Sequence, residues 1–462
     1  MTPKFGTSGL RGIVTKLTDE FISDYTRAFL ASCPNGGTVY VGWDLRPSSP
    51  RIAEAVIKAA QNEGITPVRA GMLPTPALAL ASMKAKAAAI MITGSHIPAD
   101  RNGLKFYLPE GEISKDDELR IKAALGQRAG AATAVELEEP GIAAAYVDRY
   151  VSAFGPTALA GLRIGVYEHS SAARDFLTET VAKLGADALP LARSDTFIPV
   201  DTEAVDAKTR TMLCNWCQEH KLDAVISTDG DADRPMVTDA SGHIVPGDVL
   251  GPLTAQFLGA RAVCTPVSSN TAVDHMGFAQ IERTRIGSPF VIAAMESVLT
   301  SDPGAAVVGY EANGGFLLGF TAQGICGPIS PLMTRDCLLP ILAPLAQARA
   351  QGLSLAELVA TLPHRFTASD RIQGIETATS GAFIAELIAD PAKRAGFFDT
   401  TTSEIAVDTT DGLRVTFEGD DIIHLRPSGN APEFRCYAEA DSKDKATALV
   451  VNNLEKLRSV LR

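Results

Sequence analysis

Apolar residues along this chain fall into short unbroken runs separated by longer amphipathic stretches. The first segment opens with Thr38-Val39-Tyr40-Val41-Gly42, which predicts a strand, followed by a helix over 49–62. The strand Ile65-Thr66-Pro67-Val68 comes next, then a helix after Pro74 and a strand over 88–92. A second segment repeats the rhythm with a strand over 162–167, helices over 172–184 and 207–219, and Asp223-Ala224-Val225-Ile226. A third begins with a strand over 262–267 and continues with a helix over 289–299 and a strand over 305–310. Apolar strands alternating with amphipathic helices are the pattern of parallel α/β layers.

Each segment ends in a polar loop: one around Ser95, one over 229–234 and one over 311–315. Function in open α/β sheets gathers beyond the carboxyl ends of strands, so the three loops are expected to line one cleft. The C-terminal part reads differently. Short strands over 413–417, 421–426 and 434–438 precede a helix from Lys443, which predicts an α+β module. The loop Arg426-Pro427-Ser428-Gly429-Asn430-Ala431-Pro432 lies between two of those strands.

A chain of 462 residues exceeds what one hydrophobic core organises, so several domains are expected. A formal charge of −12 argues against a sequence-independent grip on nucleic acid or an anionic membrane. The N-terminus lacks the apolar run of a secretory signal, and the apolar stretch 337–346 is short and interrupted by proline, so a cytoplasmic chain is expected. Seven scattered cysteines read as reduced thiols. Cys214-Asn215-Trp216-Cys217 has no second cysteine pair, and His220 supplies only a third ligand. Packing on a helix is the expected role of both thiols.

The strongest local signal is Asp229, Asp231 and Asp233, carboxylates at alternate positions. Their mutual repulsion is costly unless a cation sits among them, and all-oxygen ligation selects Mg²⁺, Ca²⁺ or Mn²⁺ over zinc. A solvated acidic turn is the competing reading. An EF-hand fails, because Arg234 and Ala240 stand where its glycine and glutamate belong. Ser95 beside His96 invites a hydrolase reading, but the G-x-S-x-G elbow is absent, and so is a Walker A sequence. Arg426, Ser428, the Gly429 turn and Arg435 offer the forked and backbone donors that a phosphate monoester needs; a tight surface turn is the alternative.

Taken together, the loops resemble those of the α-D-phosphohexomutase superfamily in kind, order and approximate spacing. Gly6-Thr7-Ser8-Gly9-Leu10-Arg11-Gly12 is similar to its N-terminal motif, and residues 93–105 to its phosphoserine loop. Residues 229–234, 311–315 and 426–435 are similar to its metal, sugar and phosphate loops. The resemblance implies a four-domain phosphohexomutase architecture: three similar α/β domains with mixed sheets (1–154, 155–249 and 250–366) and a C-terminal α+β domain (367–462). It implies that Ser95 carries a phosphoryl group, that Ser95, Asp229, Asp231 and Asp233 hold Mg²⁺, and that Arg11, His96 and Lys105 stand close to the transfer. Arg234, Glu311, Asn313, Arg426, Ser428, Gly429, Asn430 and Arg435 would bind substrate. The implied reaction interconverts hexose 1-phosphate and hexose 6-phosphate through a hexose 1,6-bisphosphate, by a monomer or homodimer.

Departures from the superfamily pattern fall on the sugar side. Many relatives carry Glu-x-Ser-Gly-His where this chain has Glu311-Ala312-Asn313-Gly314-Gly315, so the histidine is missing. A lysine often found in the third domain has no counterpart in Ile286-Gly287-Ser288-Pro289-Phe290, and Asn430-Ala431 replaces the common Thr-Glu. The variant loop resembles a phosphomannomutase-like branch, which favours mannose phosphates over glucose and glucosamine phosphates. A sugar-phosphate sensor and a phosphatase are the rival classes. A sensor needs neither a nucleophile nor a metal trap.

Overall fold

The computed structural model describes residues 3–6, 9–128, 133–399, 402–427 and 433–461. Three mixed sheets share one topology. In the first, strand Thr38–Trp43 pairs in parallel with Thr66–Met72 and Ala88–Ile92, and Ala88–Ile92 pairs antiparallel with Arg101–Leu108. In the second, Arg163–His169 lies between Asp187–Arg193 and Ala224–Thr228, with Pro235–Thr238 antiparallel to the latter. In the third, Ala262–Pro266 lies between Gln280–Thr284 and Val307–Tyr310, with Phe316–Leu318 antiparallel beyond. Each polar loop is therefore the hairpin from the last parallel strand to its antiparallel neighbour. The strands leading into these hairpins, Ala88–Ile92, Ala224–Thr228 and Val307–Tyr310, are buried at every position, which is why they read as nearly unbroken apolar runs.

Helix Ser49–Asn62 has the expected bounds. It buries Ile52, Ala53, Val56, Ile57 and Ala60 along one stripe, with Pro50 in its first turn. The other expected helices form as Arg174–Lys183, Ala207–His220 and Ser288–Ser301. Cys217 is buried and Cys214 half-buried on Ala207–His220, and all seven cysteines are free. The third segment departs from the expected rhythm. After Ala262–Pro266 comes only a 3-10 turn, Thr271–His275, because Asn270 and Thr271 bond to Asp248, Arg365 and Glu439. The apolar stretch around 337–346 lies in the buried helix Leu338–Gln351. Among the described residues, no helix is long and apolar enough to cross a membrane.

The C-terminal module is a five-stranded antiparallel sheet ordered Phe366–Gln373, Glu433–Ala440, Ile422–Pro427, Leu413–Phe417, Glu404–Asp408. Helices Thr377–Ala389 and Lys443–Val460 cover one face through Phe383, Leu387, Val450 and Leu454. The two outer strands and the helices Thr377–Ala389 and Pro391–Phe398 extend the expected module. Cores divide the molecule unevenly. A continuous core runs from Tyr40 and Leu78 through Tyr146 and Tyr150 to Ile226, Tyr310 and Leu339, joining the first three sheets, whereas the C-terminal sheet has a core of its own. That module meets the third segment through polar contacts: the Thr271 amide to Glu439 at 3.1 Å, and the Ile286 amide to Asp411 at 2.9 Å.

Candidate active site

Ser95 sits at the tip of the first hairpin with φ +54°, a left-handed conformation that a non-glycine residue adopts only when its surroundings enforce it. Arg46, fully buried, supplies that enforcement. Its guanidinium donates to the carbonyls of Ser95 at 2.8 Å, Ile97 at 2.5 Å, Pro98 at 2.7 Å and Arg101 at 2.9 Å. Asp44 holds Arg46 at 3.1 Å and accepts from Thr93 at 2.8 Å, while Thr93 Oγ1 accepts from the Ser95 amide at 2.7 Å. Arg46 therefore acts as a peg around which the serine loop is wrapped. It was not among the expected site residues, and the signal that points to it is its position just beyond the carboxyl end of Thr38–Trp43.

Across from this loop, the second hairpin brings its three carboxylates together. Ligand atoms of Asp229, Asp231 and Asp233 lie within 4.8 Å of one another, all buried. Ser95 Oγ donates to Asp229 Oδ2 at 2.5 Å. Such close approach needs Gly230, since a Cβ there would lie 2.9 Å from the Ser95 carbonyl oxygen and 3.0 Å from the Phe197 ring. Lys105 Nζ donates to Asp231 and Asp233 at 2.5 Å each, and Thr75 donates to Asp231 at 2.7 Å. Burial, reinforced by the charges of Asp231 and Asp233, pushes the Asp229 carboxyl well above its ordinary pKa. Burial also works against ionisation of Asp231 and Asp233, but Lys105 in the first and Arg335 in the second override it and hold both below the ordinary range.

The donor set fits a hard divalent cation. It is all oxygen, and Asp231 Oδ1 and Asp233 Oδ1 are buried with no hydrogen-bond partner.

His96 Nδ1 lies 3.0 Å from Arg234 Nη1 and 3.3 Å from Ser95 Oγ. Arginine only donates, so this nitrogen is an acceptor and the ring is neutral. Burial, with Arg234 beside it, lowers the His96 pKa to about 3. Arg11 is desolvated near Arg234 and Arg335, and its pKa falls to about 10.

On the third hairpin, Glu311 is buried and faces Arg335 at 3.6 Å. Asn313 shapes its own turn: its Oδ1 accepts from the Gly315 amide at 3.0 Å, and its carbonyl accepts from Thr202 at 2.8 Å. Facing these loops, Arg435 stands directly opposite Arg426 on one neighbouring strand and Arg371 on the other. Like charges in register repel, so this row suits an anion. Asp411 holds Arg426 at 2.8 Å, and Glu433 lies 3.4 Å from both Arg371 and Arg435. Arg435 Nε is buried without a partner. Asp201 lies within electrostatic reach of both Arg234 and Arg435. Ser428, Gly429 and Asn430 lie outside the described residues, as do Thr7 and Ser8. Sequence reasoning missed Arg46, Thr75, Arg335 and Arg371.

This fold and site define a phosphoryl-transfer enzyme of the phosphohexomutase class. The chain belongs to the phosphoglucomutase/phosphomannomutase family: the models of its α/β/α domains I, II and III match residues 2–130, 144–242 and 246–366, and that of its C-terminal domain matches 384–456. It is 44% identical to a phosphomannomutase of Sinorhizobium fredii NGR234, covering 99% of both chains. It is also 44% identical to a phosphomannomutase of Salmonella muenchen, covering 99% of this chain and 96% of the relative. A phosphoglucomutase/phosphomannomutase family protein from Burkholderia thailandensis shares the fold with a TM-score of 0.78 at 21% identity, over 98% of this chain and 96% of the other.

Proposed function

We propose that this phosphohexomutase interconverts mannose 1-phosphate and mannose 6-phosphate through phosphoserine at Ser95 and a hexose 1,6-bisphosphate. The observation that carries the mechanism is the 2.5 Å contact of Ser95 Oγ with Asp229, inside the loop that gathers three carboxylates. The hexose assignment rests on the two phosphomannomutases at 44% identity.

On this reading the Oγ–P bond of phosphoserine breaks as an O–P bond to the hexose hydroxyl oxygen forms, and the hydroxyl proton ends on the departing Ser95 Oγ. In the return step, Ser95 Oγ attacks the other phosphoryl group, the bond from that phosphorus to the hexose oxygen breaks, and the Ser95 hydroxyl proton, held at Asp229 Oδ2, ends on that hexose oxygen. Arg46 keeps Oγ aimed across the cleft, and the Lys105 charge steadies the transferring group. Asp229, Asp231, Asp233 and the Ser95 side would hold Mg²⁺, which when bound neutralises charge on the phosphoryl oxygens. Glu311 accepts from hexose hydroxyls. Arg435 and Arg426 anchor whichever phosphate does not face Ser95.

The chain divides on this reading into units 1–154, 155–249, 250–366 and 367–462. The second break is better set before Gly247, because helix Gly247–Phe257 packs against Leu338–Gln351 of the third unit.

The test is incubation with mannose 1-phosphate, Mg²⁺ and a trace of hexose 1,6-bisphosphate, followed by product identification. Mannose 6-phosphate is expected. Free phosphate would make the chain a phosphatase. No product from mannose 1-phosphate, with turnover of glucose 1-phosphate or glucosamine 1-phosphate, would overturn the hexose assignment.

A further inference from the structure

Arg335, on strand Leu332–Asp336, is a buried guanidinium for which the reading above has no use. Its side chain is 4% exposed. Nη2 lies 2.8 Å from Asp233 Oδ2 and Nη1 lies 3.6 Å from Glu311 Oε2, so a single side chain touches both the metal loop and the sugar loop. Its neighbours pin it. Thr334 donates to Glu112 at 2.8 Å, and Asp336 accepts from Tyr146 at 2.5 Å, from Tyr150 and from the Leu338 amide at 3.0 Å. The aliphatic part of Arg335 lies over Gly315. A Cβ at that position would sit 2.7 Å from Cδ and 2.8 Å from Cγ of Arg335. Arg335 thus fills the space of a side chain at position 315.

A purely structural ion pair of this kind would close as a bidentate fork, satisfying the polar atoms on both sides. Here it does not close. At 3.6 Å the Glu311 contact is not a hydrogen bond, and Arg335 Nε and Glu311 Oε2 are both buried without partners. The positive charge of Arg335 also reaches two half-buried guanidinium groups at the site, Arg11 and Arg234. Asp233 and Glu311 lie among these charges, and the unpartnered Arg335 Nε leaves a donor free for a further oxygen. Burial does not argue against contact with substrate, because Ser95 is only 1% exposed.

We propose that Arg335 is a substrate-binding residue, held between Glu311 and Asp233, which fills the space of a side chain at position 315 and completes its hydrogen bonds on the hexose phosphate. This rests on the mutase reading.

The experiment measures binding of mannose 1-phosphate to the dephosphorylated enzyme by calorimetry, alongside kcat and KM, for wild type, Arg335→Lys and Arg335→Met. Arg335→Lys keeps a charge beside Asp233 but loses the fork. It should bind roughly 10-fold more weakly, and Arg335→Met roughly 10- to 100-fold more weakly, with KM moving more than kcat. Gly315→Ala should impair the wild-type background and be tolerated beside Arg335→Ala, which removes the Cγ and Cδ that a Cβ at position 315 would meet. Mg²⁺ titration reports separately on Asp233. Substrate affinity unchanged in Arg335→Lys would overturn the proposal, and so would Gly315→Ala costing the same in both backgrounds. If Arg335→Met does not fold, the lysine variant decides alone. Wild type that binds no hexose phosphate would instead sink the mutase reading.

Discussion

The metal loop and the sugar loop occupy the same hairpin in two copies of one topology, yet they are built by different means. Residues 229–234 carry their chemistry within themselves, as three carboxylates that meet within 4.8 Å. Residues 311–315 carry one carboxylate and two glycines, and the cation beside them comes from the next strand as Arg335. Phosphoryl transfer is the same for every hexose, so its site can be one contiguous motif. On the proposed reading a sugar, by contrast, is met from several directions, with its site assembled from separate elements.

This contrast predicts different kinetic signatures. Asp231→Asn should have the largest effect: kcat falls by more than about 100-fold, equally for every hexose phosphate, with a matching loss of Mg²⁺ affinity by titration. A variant that kept its kcat would mean that the triad is only an acidic turn. Arg435→Ala comes next, weakening mannose 1-phosphate and mannose 6-phosphate alike by about 1.5–3 kcal/mol and releasing the half-turned bisphosphate. Single-turnover mixing with labelled substrate follows that release. An unchanged KM for both isomers would show that the second phosphate is held elsewhere. Glu311→Gln should cost about 1–2 kcal/mol, chiefly in KM, and should change the ranking of mannose, glucose and glucosamine phosphates in a specificity panel. Loss of kcat with the ranking preserved would erase the distinction between the two loops.

The smallest effect on turnover concerns acid stability. His169 and His424 are buried on the inner sheets of the second and fourth units, and burial lowers each pKa to about 4. Unfolded histidine titrates near ~6.5, so the neutral rings contribute stability that is full above that pH and is lost as pH falls towards 4. Thermal melts across that window should show a falling Tm, with a shallower fall in His424→Gln. A parallel pH profile in that variant would assign the loss to other groups.

What could be read from sequence follows the same division. The Ser95 loop and the Asp triad were legible because each is short, contiguous and placed just after a buried strand. Helix Ser49–Asn62 was legible because its apolar stripe is regular. Arg335, Arg46 and Thr75 were not, since each reaches the centre from a separate element and shows no spacing relation to the motif it serves. Outer strands such as Asp187–Arg193 and Glu404–Asp408 were missed because they are half-exposed and dilute the apolar pattern. Asn313 also closes its own turn, a part that only the hydrogen bond to Gly315 reveals.

The central claim is that Ser95 carries the phosphoryl group between the two ends of the hexose. Intact-mass analysis of wild type and Ser95→Ala after exposure to hexose 1,6-bisphosphate tests it most directly, paired with the mutase assay on the same samples. The account predicts one phosphoryl group on wild type, mapped to Ser95, with none on the variant and no turnover by it. A variant that still interconverts the two mannose phosphates, or a wild type labelled on another residue, would contradict it.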